Sequence, residues 1–137
     1  MKAPNMSWAI AYITVSDVAQ SIALYKNALG FELLSSTDHD KGELVHAEMK
    51  HKDFVIMIGK QGAFGGKTVT PKESNVLVPI SLYLYVNDVD TFYQNALANG
   101  MTSVTEPEVA CWGDRYCRVK DKDGYEWSCG SYIGEAK

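Results

Sequence analysis

Two side chains in the segment HAEM could carry chemistry together. His46 and Glu48 lie two residues apart, so that on a β-strand they point to the same side. Such a pair could act as a general base with an orienting carboxylate, or could supply two ligands to a metal ion. It could equally form a solvent-exposed strand face or a structural hydrogen bond. The sequence alone leaves these alternatives open.

Further polar groups cluster near the end of the chain. Arg115 and Arg118 could meet a ligand carboxylate or phosphate, but acidic and basic neighbours stand close by in the sequence. We therefore expect a surface ion-pair cluster here, which contributes little stability. The neighbouring charged residues are Asp114, Lys120 and Asp121.

Composition excludes several classes of protein. The formal net charge is −4 and no run of Lys or Arg occurs, which argues against nucleic acid as a partner. No apolar run reaches the roughly 18 residues of a membrane span, so no membrane partner is expected. The three cysteines form no CxxC pair, which favours free thiols. These features predict a cytoplasmic protein.

The candidate residues lie on two copies of one strand–helix–three-strand pattern. YKNALG at Tyr25–Gly30 returns as YQNALANG at Tyr93–Gly100. Asp17 and Asp88, 71 residues apart, are each placed to cap a helix. We predict a single domain with one module at about residues 7–60, a linker at 61–79, and a second module at about 80–133. The linker is rich in Gly and Pro and has no apolar periodicity.

The order and spacing of these motifs resemble a known family. VSDV before the first helix, HAEM in the hairpin, and WGDRYCRVKDKDGYEW at Trp112–Trp127 resemble the vicinal oxygen chelate superfamily, also called the glyoxalase/bleomycin resistance/dioxygenase fold. The resemblance implies an α+β fold in which two βαβββ modules with mixed sheets form one cleft. By analogy with relatives of this size, it also implies a homodimer.

Enzymes that this chain resembles hold a divalent metal with His, Gln or Glu from four strands. By register, the four ligand positions fall at Ile10, Met57, Ser81 and Ser128. None of these side chains is a usual ligand for such a metal. The resemblance therefore predicts a protein with neither a metal site nor another cofactor.

The same register indicates which side chains line the predicted cleft. Tyr12, Tyr83, Tyr85 and Met57 would face it, with Ser128 adding a hydroxyl and Trp112 lying on a loop before a strand. Such a surface suits a planar or amphipathic organic ligand. In the alternative, these rings fill each other's space as an ordinary core.

Three hypotheses for function follow. The first is a metal-free protein that binds and sequesters a small organic ligand, aromatic or cationic, the cation being favoured by the net negative charge. The second is a lyase, isomerase or dioxygenase of the glyoxalase type. It would use a non-standard metal site with His46 or Glu48, or a metal-free site with Glu126 as the base. The third is a structural or regulatory domain whose cleft is filled.

Overall fold

The computed structural model describes residues 1–39 and 41–134 and contains two copies of one strand–helix–three-strand unit. The first module comprises β1 (Ala11–Val15), α1 (Val18–Leu29), β2 (Glu32–Asp38), β3 (Leu44–His51) and β4 (Phe54–Lys60). The connection holds a 3₁₀ turn (Ala63–Gly65) and the short α2 (Pro71–Ser74). The second module comprises β5 (Leu82–Tyr85), α3 (Val89–Ala98), β6 (Thr102–Val109), β7 (Asp114–Lys120) and β8 (Glu126–Tyr132).

Each module forms its own four-stranded mixed sheet. The strand orders are β1-β4-β3-β2 and β5-β8-β7-β6. In both sheets the first strand of the module pairs in parallel with the last strand, and the remaining pairs are antiparallel. The predicted α+β fold with two βαβββ modules is confirmed. Neither sheet is closed, so β1 and β5 are edge strands of their own sheets.

Helix caps explain where the two long helices begin and end. The Asp17 carboxylate accepts a hydrogen bond from the backbone N–H of Gln20 at 2.8 Å, and Asp88 accepts one from Thr91 at 3.1 Å. Gly30 closes α1 in the left-handed conformation. Asn99, directly before Gly100, caps the end of α3.

Several boundaries differ from the sequence-based expectation. Ile10 and Ser81 lie just before β1 and β5 rather than within them. The strand at Met101–Val104 continues to Val109, because β6 pairs along most of β7. The segment expected to be a plain linker carries α2, which Thr70 caps by accepting from the backbone N–H of Glu73. No helix of the described chain combines the length and apolar character needed to cross a bilayer.

One hydrophobic core joins the two modules. It contains the inner sides of both sheets and the facing sides of α1 and α3. Trp127 on β8 is fully buried, with its ring centroid 5.2 Å from that of Tyr25 on α1 and 5.6 Å from that of Phe31. Burying aromatic surface of this size supplies a large share of the apolar driving force.

A buried carboxylate lies at the centre of this junction. Oδ2 of Asp121 accepts hydrogen bonds from the Tyr25 hydroxyl at 2.7 Å and from Nε1 of Trp127 at 3.0 Å. Its Oδ1 accepts from the backbone N–H groups of Asp123 and Tyr125, both at 3.0 Å. Burial raises the pKa of the Asp121 carboxyl, and the hydrogen bonds that it accepts oppose the shift. The expected surface ion pairing of Asp121 is therefore wrong.

Asp121→Asn should lower the free energy of unfolding by about 1–3 kcal/mol, because the new amide N–H₂ would face a buried donor. Urea denaturation of the variant and the parent protein measures this difference. Asp53→Asn, in the exposed turn between β3 and β4, is the matched control and should change stability little. Equal effects of the two substitutions would contradict the assigned role of Asp121.

Candidate functional site

Each sheet has one side on the core and one side open. On β1, Ile13 and Val15 are buried whereas Tyr12 is exposed, and on β5 Leu84 is buried between Tyr83 and Tyr85. We call the open sides the first and second front faces. The first carries Tyr12, Thr14, His46, Glu48, Met57 and Gly59. The second carries Tyr83, Tyr85, Asp114, Tyr116, Arg118, Ser128 and Gly130.

The sequence repeat places one tyrosine over one glycine on each front face. Tyr12 pairs with Met57 in register, and Tyr83 pairs with Ser128. A Cβ at Gly59 would lie 2.3 Å from the Tyr12 hydroxyl, and a Cβ at Gly130 would lie 2.3 Å from the Tyr83 hydroxyl. Glycine is therefore required for each ring to lie across its sheet.

The second front face is organised by the buried carboxylate of Asp114. Its Oδ2 accepts hydrogen bonds from the hydroxyls of Tyr83 at 2.7 Å and Tyr85 at 2.9 Å, and from Nε1 of Trp112 at 3.1 Å. The rings of Tyr83 and Tyr85 lie 5.4 Å apart, and those of Trp112 and Tyr116 lie 5.0 Å apart. We call these four side chains the aromatic cluster.

The pKa of each β5 tyrosine lies above the ordinary tyrosine value. Partial burial raises the pKa of Tyr83 to about 12; the hydrogen bond from Trp112 opposes the shift and that to Asp114 adds to it. The hydrogen bond to Asp114 raises the pKa of Tyr85 as well. Both phenols therefore remain hydrogen-bond donors beyond the pH at which an ordinary tyrosine ionises.

The aromatic cluster is fixed but not enclosed. Tyr83 is 38% exposed, Tyr85 56% and Trp112 52%. These three rings therefore do not fill a core within the described chain. A patch of large exposed aromatic side chains is typical of a surface that contacts a ligand or another protein.

The first front face carries a different set of groups. The hydroxyl of Tyr12 lies 3.3 Å from Nδ1 of His46, and Nε2 of His46 lies 3.8 Å from Oε2 of Glu48. The hydroxyl of Ser35 donates to the other Glu48 oxygen at 2.5 Å. The predicted His46–Glu48 pair thus lies on one face and also contacts Tyr12. A carboxylate, an imidazole and a phenol in a row can orient a base or pass a proton.

Two further predicted site residues, Ser128 and Glu126, lie on β8. Ser128 is buried and accepts a hydrogen bond from Nε of Arg118 at 3.3 Å, and the same guanidinium lies 3.6 Å from Glu126. Glu126 and Tyr12 also line a mainly apolar cavity of about 290 Å³ beside Leu82. No hydrogen bond or ring contact links Tyr12 to the aromatic cluster within residues 1–39 and 41–134.

The residues at the four expected metal positions do not fit a divalent metal. Ile10 has no donor atom, Met57 offers only a thioether, and the hydroxyls of Ser81 and Ser128 are poor ligands when neutral. Across the part of the chain that the structure describes, no group of three or more His, Cys, Asp or Glu side chains could hold a metal ion. We therefore derive no chemistry through a metal at this site.

The sequence-based expectation for Asp114 is wrong. Instead of joining a surface ion-pair cluster, Asp114 is buried, and Arg115 on the opposite side of β7 binds Asp90 through two contacts of 2.8 Å. Arg118 pairs with Glu126 rather than with Asp114. The segment WGD at the start of β7 was the available signal, since it places a carboxylate two residues from a tryptophan whose indole N–H can donate to it.

Comparison with known proteins matches most of the chain to one family. The model of the Glyoxalase/Bleomycin resistance protein/Dioxygenase superfamily matches residues 8–129. A Mycobacterium bovis protein described as uncharacterized is 35% identical over 126 residues, covering 90% of this chain and 82% of the relative. A Mycobacterium tuberculosis protein, also described as uncharacterized, has the same identity and is covered to 74%.

Solved structures share the fold at lower identity. TioX from Micromonospora sp. ML1 is 21% identical with a TM-score of 0.72, and the match covers 93% of this chain and all of TioX (100%). The fosfomycin resistance protein FosX from Listeria monocytogenes is 12% identical with a TM-score of 0.67, over 92% of this chain and 93% of FosX. At these identities the likeness concerns the fold only.

In protein labelled with ¹³Cζ-tyrosine, the Tyr83 signal should titrate at about pH 12. The pKa of Tyr83 is raised in the folded state. The contribution of its protonated phenol to stability is therefore fully present below the ordinary tyrosine pKa, and it is lost as the pH rises toward 12. Asp114→Asn should lower the Tyr83 pKa, since the charge that holds the proton is removed. NMR titration measures both values, with the signal assigned by Tyr83→Phe. An unchanged pKa in the Asp114 variant would contradict the geometry.

Proposed function

The chain belongs to the glyoxalase/bleomycin resistance protein/dioxygenase superfamily, and on this premise we propose that it binds and sequesters a small organic molecule without a metal ion. One observation carries the proposal: three rings of the aromatic cluster, those of Tyr83, Tyr85 and Trp112, are exposed, yet Asp114 fixes all three by hydrogen bonds. Side chains that are already ordered lose little conformational freedom when a ligand binds.

The donor set supports binding without metal chemistry. The side chains at the family's four metal-ligand positions are one aliphatic group, one thioether and two hydroxyls. These groups suit contact with an organic molecule better than coordination of a metal ion. Tyr12, Met57, Tyr83, Tyr85, Trp112 and Ser128 are the residues that we assign to ligand binding. The ligand that this surface suits is aromatic or cationic, since ring faces attract both kinds of group.

We propose further that the ligand is enclosed when two copies of the chain associate. Both front faces are open in the single chain, because neither sheet closes on itself. A second copy lying against a front face would convert an open surface into a cleft. Large exposed apolar side chains elsewhere support association; Trp8, Leu77 and Ile80 are each more than two-thirds exposed.

A cytoplasmic location also stays a prediction. All three cysteines, Cys111, Cys117 and Cys129, are free thiols, which is the usual state in a reducing compartment.

A second candidate function is acid–base catalysis on the first front face. The contacts that favour it are those of His46 with the Tyr12 hydroxyl at 3.3 Å and with Glu48 at 3.8 Å. Glu48 would orient the imidazole, and Tyr12 would present a hydroxyl to the ligand. A lyase or isomerase that moves a proton without a metal could use this arrangement.

Gly130→Ala should weaken ligand binding about tenfold, a loss of about 1.4 kcal/mol, because the new methyl group displaces the Tyr83 ring from Asp114. Ligands for the assay come from a thermal-shift screen of aromatic and cationic compounds, and calorimetry measures their affinity. Gln94→Ala, on the exposed side of α3 and away from both front faces, is the control for general damage to the fold and should leave the affinity unchanged.

A failure of every compound to shift the melting temperature would contradict the binding proposal. So would near-stoichiometric zinc, nickel, manganese or iron in protein that was incubated with the metal and desalted. Elemental mass spectrometry of the untagged protein makes that measurement.

If the second candidate is right, His46→Gln should abolish turnover of a glyoxalase-type substrate while ligand affinity stays within about twofold, because only the proton transfer is lost. Single-turnover assays with the parent protein and the variant measure this. The absence of turnover in the parent protein leaves binding as the function of the first front face.

A further inference from the structure

We propose that the aromatic cluster binds an organic cation with an alkylated ammonium group, seated on the ring faces above the carboxylate of Asp114. The inference rests on the proposed function, since it names the ligand class of that site. It follows from the charge beneath the rings, the burial of the carboxylate that carries it and the contrast with the first front face.

The charge beneath the rings has no cationic partner. Asp114 is 1% exposed, and the three groups that donate to its Oδ2 are neutral. No Lys or Arg within residues 1–39 and 41–134 forms an ion pair with it. The neighbouring guanidiniums are engaged elsewhere, Arg115 with Asp90 and Arg118 with Glu126. A buried anion without a counter-ion attracts a cation to the surface that covers it.

The tyrosine rings carry part of the negative charge of Asp114 at the surface. Each phenol that donates to a carboxylate places more negative charge on its own ring, and ring faces attract cations through that charge. Tyr116 does the same at the rim, where its hydroxyl donates to Glu108 at 3.1 Å. The aromatic cluster is therefore bounded by two carboxylates, one buried and one exposed.

The burial of the Asp114 carboxylate selects the type of cation. Asp114 is 1% exposed beneath the rings, and its Oδ2 already accepts three hydrogen bonds, so the N–H donors of a ligand do not reach it. An alkylated ammonium has few or no N–H groups to satisfy and needs only ring faces and a negative potential. Recognition of quaternary ammonium by aromatic side chains works in this way.

The first front face provides an internal contrast. Its tyrosine, Tyr12, lies over a glycine just as Tyr83 does, but its hydroxyl meets His46 rather than a buried carboxylate. The tyrosine–glycine geometry is repeated on both faces, but the carboxylate of the first face, Glu48, contacts His46 and Ser35 rather than the tyrosine, whereas Asp114 on the second face is buried and accepts from the tyrosine directly. We accordingly assign the cation to the second front face.

Choline and its neutral isostere 3,3-dimethyl-1-butanol test the proposal on the full chain by NMR titration. Choline should bind at least about tenfold more tightly than the isostere, and Asp114→Asn should reduce this ratio below about threefold. Glu106→Gln removes an exposed charge from β6 without touching the aromatic cluster, and it should leave the ratio unchanged.

Tyr85→Leu keeps the test decisive if Asp114→Asn does not fold. Tyr85 is largely exposed, so the fold should tolerate an apolar side chain that lacks a ring face. Choline binding should fall severalfold while binding of the isostere is retained. Equal losses for both probes would overturn the assignment of a cation.

The outcomes separate this inference from the proposed function. Equal affinities for choline and its isostere in the parent protein overturn the inference, while a neutral aromatic ligand that Gly130→Ala weakens still supports the proposed function. If cations do not bind and Asp114→Asn instead weakens self-association, the carboxylate serves a contact between subunits and the inference is overturned. If no compound binds at all, both proposals fail.

Discussion

The buried carboxylate of Asp121 is the interaction on which the arrangement of the two modules depends. It accepts hydrogen bonds from Tyr25 of α1 and from Trp127 of β8, so one side chain joins the helix of the first module to the last strand of the second. A charged acceptor makes such bonds stronger than neutral ones, and burial makes the loss of either partner costly. Both sheets can therefore share one core while each keeps an open front face.

Two buried aspartates accept the same kinds of hydrogen bond but have different roles. Asp121 and Asp114 are both buried, and each accepts hydrogen bonds from a tyrosine and a tryptophan. The partners of Asp121 lie on the core side of the sheet, where they are covered and stabilise the fold. The partners of Asp114 lie on the open side, where their rings stay accessible. The side of the sheet decides which carboxylate is structural and which supports a site.

The two modules share their geometry but differ in chemistry. His46 opposes Gly59 in the first sheet at the place where Tyr116 opposes Gly130 in the second. Two residues further along each strand, Glu48 faces Met57, whereas Arg118 faces Ser128. The first front face thus carries groups that can exchange protons, and the second carries aromatic rings above a buried charge. The repeat supplies the frame, and the side chains that differ between the two copies determine what each face can do.

The sequence by itself determined the two modules, the helix caps and the alternation that turns Tyr12, Tyr83 and Tyr85 toward the front faces. These features depend on neighbours within a few residues, so local pattern is enough. It did not indicate that Asp114 is buried, because the donors on Tyr83 and Tyr85 lie 31 and 29 residues away in the chain. Nor did it distinguish rings that fill a core from rings that stay exposed. Only the packing of α1 and α3 between the sheets decided that, because it covers one side of each sheet and leaves the other open.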